Sequence, residues 1–164
     1  MTALGSLLFL LVAPGTIAGY IPLVLLRYGS QIATGIFAYL AFPFWLLGSI
    51  ILLWCFWDFT FKGHGTPAPV APPTELVATG FYRYVRNPMY VGILAILLGH
   101  FLWFRYWNLL IYAIVVFIGF HTFVTLYEEP TLKRKFGASY EDYLKRVPRW
   151  IPRLNKIQST GDRL

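Results

Sequence analysis

The sequence predicts an all-α protein, a polytopic membrane helical bundle of about four spans with a C-terminal amphipathic interfacial helix, and three observations predict it. Of 164 residues, 57% are hydrophobic and only 13% charged, with a mean hydropathy of +0.59, whereas about a quarter of an ordinary soluble domain is charged. The apolar residues fall in runs close to the roughly 20 that a helix needs to cross about 30 Å of hydrocarbon. The basic residues gather at one set of run ends.

The first run covers residues 4–26. Met1-Thr2-Ala3-Leu4 lacks the positive start of a cleaved signal peptide, and the run is too long for a signal core, so it reads as a span. Pro14 and Pro22 fall inside it and Pro43 inside the second run, 32–57. Each proline removes an amide donor and bends its helix unless neighbours compensate, which fits packing kinks or kinks that line a ligand. Cys55, the single cysteine, lies in the second run, so no disulfide, CxxC pair or multi-cysteine metal site forms within one chain, and its expected role is structural.

Residues 62–75, Lys-Gly-His-Gly-Thr-Pro-Ala-Pro-Val-Ala-Pro-Pro-Thr-Glu, are too rich in Pro and Gly for a helix or central strand. They read as an extended loop, and a long loop between spans of a small protein points to function. The third run, 89–104, begins sharply at Asn87-Pro88, a favoured N-cap followed by a favoured first helical residue. It is short, about 24 Å, and needs a thin membrane or interfacial help. Arg105 between Trp103 and Trp107 marks a tight aromatic turn into the fourth run, 106–126, making a helical hairpin.

Beyond Glu129, Leu132, Phe136, Tyr140, Tyr143, Leu144 and Val147 recur at helical spacing with Lys, Arg and Asp on other faces. Gly137 interrupts this run, and Ser139 with Asp142 three residues on is expected to cap a second short helix. Trp150-Ile151-Pro152 anchors the end at the headgroups, and a polar tail follows. The chain is thus one integral-membrane domain, 1–164, with spans at about 4–26, 32–57, 89–104 and 106–126, a loop at 58–88 and an amphipathic segment at 128–152.

Placing Arg27 and Arg105 on the far side leaves twelve of the fourteen Lys and Arg residues on the near side, so both termini and the 58–88 loop are expected in the cytosol. The net charge of +7 serves this orientation. No basic and aromatic recognition module is visible, so nucleic acid is not an expected partner; the lipid bilayer is.

Two stretches carry chemistry. Arg86-Asn87-Pro88-Met89-Tyr90-Val91-Gly92 sets a helix N-terminus, with its free amides and partial positive charge, at the near interface, which suits an anionic group. Gly92, Ala95 and Gly99 let another helix approach that span closely. Glu128-Glu129 ends the fourth span, where the negative end of a helix disfavours acids, unless Pro130 begins a new helix. Both face water, or one turns inward to hold a cationic group.

Residues 76–92, Leu-Val-Ala-Thr-Gly-Phe-Tyr-Arg-Tyr-Val-Arg-Asn-Pro-Met-Tyr-Val-Gly, then a helical hairpin, Glu128-Glu129, Phe136-Gly137, Tyr140, Tyr143 and Arg146-Val147-Pro148, resemble the isoprenylcysteine carboxyl methyltransferase and phospholipid methyltransferase superfamily. The resemblance covers the C-terminal half to two-thirds of the chain. It implies S-adenosylmethionine (SAM) as cofactor, with Thr74, Glu75, Leu76 and Val77 around the adenosine, Tyr82 in the pocket, Asn87, Pro88, Met89 and Tyr90 at the helix start, and Glu128 on the cofactor. It implies methyl transfer to a lipophilic small-molecule or lipidated acceptor at the membrane, of the isoprenylcysteine carboxyl methyltransferase type. Phospholipids, small amines and thiols are alternative acceptors. NADPH-dependent sterol reductases share a similar motif near their C-termini but are far larger, and a non-catalytic membrane partner protein would bind no cofactor.

The chain departs from the family pattern twice. Asn87 replaces the histidine of the eukaryotic R-H-P-x-Y-x-G motif and cannot titrate near neutrality. Val124 occupies the position of the arginine that binds a substrate carboxylate one turn before the cofactor glutamate. His121, three residues earlier, is the candidate catalytic replacement, as polar contact or base. His64 reads as a loop residue, and His100 as a far-interface one. Methyl transfer from a sulfonium needs alignment more than a nucleophilic side chain, and no metal is expected. The sequence leaves the oligomeric state open.

Overall fold

The protein, in a computed structural model, is described over residues 12–32, 35–61 and 78–152. Its elements are helices: α1 at Val12–Leu25, α2 at Ala41–Phe61, α3 at Pro88–Phe104, α4 at Trp107–Phe123, α5 at Glu129–Phe136 and α6 at Ala138–Arg146. A 3-10 turn, Ile36–Leu40, leads into α2. Among the described residues the only β pairing is an isolated bridge between Gln31 and Tyr106, so the all-α expectation holds. Two continuous helices, Ile36–Asp58 and Trp107–Phe136, are long and apolar enough to cross a membrane, while Val12–Leu25 and Pro88–Phe104 are shorter apolar helices.

The fourth run does not stop near residue 126. A π turn, Val124–Glu128, carries α4 into α5, so Glu128 and Glu129 sit inside one continuous helix rather than at its end. The cause is Pro130. An α-helix would press its ring on the carbonyl of Leu126 and ask it for a missing N–H, and a wider turn relieves both demands. α1 repeats the device, with a π turn at Thr16–Tyr20 immediately before the segment that holds the buried Pro22. Pro43 lies three residues into α2, just past the point where the 3-10 turn Ile36–Leu40 gives way to the α-helix.

α2 and α3 cross most closely. A Cβ on Gly48 would lie 2.6 Å from the Gly92 carbonyl oxygen, and one on Gly92 would lie 2.9 Å from that of Gly48. Trp45 fills the space beside Gly99. Around this crossing Leu52, Cys55, Tyr82, Met89, Ile93 and Leu97 form the core, with Ala18 of α1 against it. Lipid tails are as apolar as leucine, so this core gains from tight contact more than from leaving water. Large apolar side chains such as Leu46, Leu47 and Ile50 of α2 and Ile111, Ile114 and Ile118 of α4 point outward, as lipid contact requires.

At one end the α3–α4 turn and the α1–α2 connection meet. Arg105 is left-handed, φ 59°, the one such non-glycine among the described residues, and its N–H bonds the Phe101 carbonyl at 2.8 Å. The Ile32 N–H bonds the Arg105 carbonyl at 2.7 Å, and Asn108 Nδ2 reaches the Leu25 carbonyl. His100 lies towards this end, taking the Trp45 indole N–H at 3.3 Å. The opposite end gathers the start of α3, the π turn and α6.

Candidate active site

The short turn Gly80–Arg83 brings the chain onto the end of α2. Gly80 has φ +58°, and a Cβ there would collide with Asp58 Oδ2; glycine is required both for the conformation and for the space. Asp58 is fully buried. Tyr82 is buried beside Cys55, its carbonyl accepts the Tyr143 hydroxyl at 2.8 Å, and burial holds its phenol well above the usual range and therefore neutral.

Asn87 occupies the N-cap position of α3, but its side chain makes no cap bond. It turns the other way, donating from Nδ2 to the Arg149 carbonyl at 3.1 Å. The carbonyl brought over by the C-terminal segment outcompetes the local cap, so the amides of the first turn of α3 are not taken by this side chain. Pro88 and Met89 are buried, Met89 in the core. Tyr90 projects to α4: its ring stacks on Phe120 with centroids 4.5 Å apart, and its hydroxyl donates to Glu128 Oε2 at 3.0 Å.

The two adjacent acids divide their work. Glu128 points inward to Tyr90, and its charge is felt at Tyr82. Glu129 is fully engaged by cations, accepting from Arg86 Nη1 and Arg149 Nε at Oε1 and from Arg149 Nη2 at Oε2, each at 2.8 Å. A carboxylate held by two guanidiniums is a structural anchor, whereas one met by a single phenol hydroxyl keeps an oxygen open to a further partner. Beneath them Tyr140, Tyr143 and Val147 form a second small core with Phe136 packed on it, and burial pushes the Tyr140 phenol up to about 12.

Tyr82, Asn87, Pro88, Met89, Tyr90 and Glu128 thus share one end of the bundle. Thr74, Glu75, Leu76, Val77 and His64 lie outside the described residues. His121 sits on the same helix as Glu128 but faces the C-terminal segment, where its Nδ1 accepts the Trp150 indole N–H at 3.2 Å. Val124 is fully buried. The sequence reading missed Asp58 and the cationic pair Arg86 and Arg149. The adjacent acids followed by a basic C-terminal segment were the available signal for the pair, and the charges were read as orientation alone.

A model of the phospholipid methyltransferase family matches residues 34–139, well over half of the chain. The chain is 41% identical over 83 residues to a protein-S-isoprenylcysteine O-methyltransferase of Schizosaccharomyces pombe, covering 47% of this chain and 33% of the relative. It is 31% identical over 91 residues to a methanethiol S-methyltransferase of Crocosphaera subtropica, covering 51% and 32%. It is 33% identical over 89 residues to a methanethiol S-methyltransferase 2 of Bradyrhizobium diazoefficiens, covering 50% and 30%. The matched part spans about a third of the length of these relatives.

Proposed function

Since the chain belongs to the phospholipid methyltransferase family, we propose that it is an integral membrane enzyme that transfers a methyl group from SAM to a lipophilic acceptor, in the manner of an isoprenylcysteine carboxyl methyltransferase. The observation that carries this reading is the Tyr90–Glu128 pair at the start of α3. A carboxylate turned into the bundle beside a helix N-terminus offers both charges that an amino acid headgroup needs: the acid for an ammonium, the first-turn amides for a carboxylate.

The residues therefore fit the cofactor. Glu128 would hold its ammonium, the amides at Met89 and Tyr90 its carboxylate, and Tyr82 would wall the pocket, with Thr74, Glu75, Leu76 and Val77 around the adenosine. When bound, SAM supplies a methyl group on a sulfonium, which is displaced in line without help from a nucleophilic side chain. The chain's own part is alignment and exclusion of water. Tyr90 fixes the Glu128 carboxylate, and Phe120 fixes Tyr90.

Val124 favours a second reading of the acceptor. It is fully buried where a carboxylate-binding arginine would stand, so a neutral acceptor, a thiol or amine, suits the site better than a prenylcysteine carboxylate. The charge split supports a site and both termini in the cytosol, with α5 and α6 at the interface. The test is mass spectrometry of the detergent-purified protein for bound SAM or S-adenosylhomocysteine, followed by calorimetric titration with SAM. Absence of any binding would sink the reading.

A further inference from the structure

After α6 the chain returns to the start of α3. Residues 147–149 form a strap against residues 86–87: the Arg86 N–H donates to the Pro148 carbonyl at 2.9 Å, and Asn87 Nδ2 donates to the Arg149 carbonyl at 3.1 Å. Further ties hold the strap in place. Val147 is buried in the second small core, the Arg149 guanidinium forks onto Glu129, and the neighbouring Trp150 ring packs edge-on against Phe117 of α4, centroids 5.2 Å apart. Losing one tie therefore loosens the Arg149 carbonyl without freeing it.

The consequence falls on the donors of α3. A helix leaves its first amides without helical acceptors. Pro88 has no N–H, and the Val91 N–H already bonds the Asn87 carbonyl at 3.1 Å, so the Met89 and Tyr90 amides are the two that an N-cap side chain takes, and asparagine is among the best residues at taking them. Asn87 does not. It is buried, 7% exposed, with no cap bond, and a buried amide needs a partner. One bond to the strap satisfies Nδ2 and the Arg149 carbonyl together and commits the side chain away from its own helix. One of the two spared amides is that of Tyr90, whose hydroxyl meets Glu128 Oε2 at 3.0 Å.

We propose that Asn87 is a positioning residue rather than a cofactor contact: by holding its side chain off the helix, the Arg149 carbonyl reserves the Met89 and Tyr90 amides for the carboxylate at the amino acid end of the cofactor. The strap thus sets the cofactor site without touching the cofactor. The proposal rests on the methyltransferase reading and deepens its account of that site.

The test compares full-length wild type, Asn87→Ser, Asn87→Thr and Asn87→Ala in nanodiscs. SAM affinity is measured by calorimetry, stability by thermal melts without SAM, and methyl transfer with N-acetyl-S-farnesylcysteine, octanethiol and octylamine as acceptors. Serine and threonine are N-cap residues too short to reach the Arg149 carbonyl, so they return a competitor to the two amides. The SAM Kd should rise about tenfold, the order of one cap bond displaced, and the KM for SAM with it, while the acceptor KM stays unchanged. The midpoint should stay near wild type, since a cap gained offsets the strap bond lost. Alanine brings no competitor; it should lower the midpoint yet weaken SAM binding only about threefold. Threonine serves where serine does not fold, and selective 15N-methionine labelling of wild type follows the Met89 N–H, whose signal should move on adding SAM. Alanine binding SAM more weakly than serine, affinities that track the midpoints, or a Met89 signal unmoved by bound SAM overturn the proposal alone. A wild type that binds no SAM overturns the methyltransferase reading, and the proposal with it.

Discussion

Arg149 holds Glu129 as a two-point fork, Nε to Oε1 and Nη2 to Oε2, both at 2.8 Å. Lysine keeps the charge but not the fork. Arg149→Lys should therefore lower the thermal midpoint in detergent, by a stability loss of about 1 kcal/mol. That lies below the usual 1.5–3 kcal/mol for charged hydrogen bonds because the arginine side chain is 31% exposed. An unchanged midpoint would show that the fork holds nothing.

Glu128 and Glu129 should separate by assay. Glu128→Gln is expected to weaken SAM binding by about 1.5–3 kcal/mol with little loss of folded protein. Glu129→Gln should lower the midpoint and leave SAM affinity within a few fold. Tyr90→Phe should resemble a milder Glu128→Gln, since the acid loses its orienting donor. Calorimetry and thermal melts on the same preparations decide, and a reversed pattern would exchange the two roles.

Gly48→Ala should be among the most damaging single-methyl changes. The added carbon would meet the Gly92 carbonyl at 2.6 Å, and a backbone oxygen can move only if α2 and α3 separate, at a cost of about 1–3 kcal/mol for overpacking. Gly119→Ala, with nothing within 4 Å of the new atom, is the control. Equal midpoints for the two would mean the crossing is looser than its geometry.

The acceptor assay extends to His121→Ala and Val124→Arg. Farnesylcysteine should be methylated more slowly than neutral thiols or amines by wild type, and His121→Ala should not slow it further. Efficient methylation of farnesylcysteine by both proteins would restore a carboxylate acceptor.

For topology, cysteines introduced at the exposed Ser30 and Ser139 of a Cys55→Ser background should be labelled from opposite sides of the membrane. Labelling from one side would refute the orientation drawn from the charge split.

The helical spacing, the sharp start at Asn87-Pro88, the tight turn at Arg105 and the break at Gly137 were legible because each is set by a residue and its immediate neighbours. The division between Glu128 and Glu129 was not, because it depends on which way a widened turn points two adjacent side chains. Nor was the loss of the Asn87 cap, since its competitor is a carbonyl 62 positions away in sequence. The contact of Trp150 with α4 was not legible for the same reason: its partner is a matter of tertiary path. The family resemblance reached Glu128 and Tyr90 by position, but the cations that free Glu128 from structural duty emerged only from geometry.

The π turn between α4 and α5 also bears on how this chain tolerates insertions and deletions. Such a turn stores one residue more than an α turn, so the packing on its two sides, Phe120 on Tyr90 before it and Glu129 in its arginine fork after it, is joined by a segment with slack. Losing a single exposed residue there, such as Leu126, is absorbed locally, at the cost of pressing Pro130 against a carbonyl. Losing one between Trp107 and Phe120 instead turns every later side chain by about 100° and tears the acids from their partners. Length variation among descendants of this sequence should therefore be found at 124–128 and not in the turns above it.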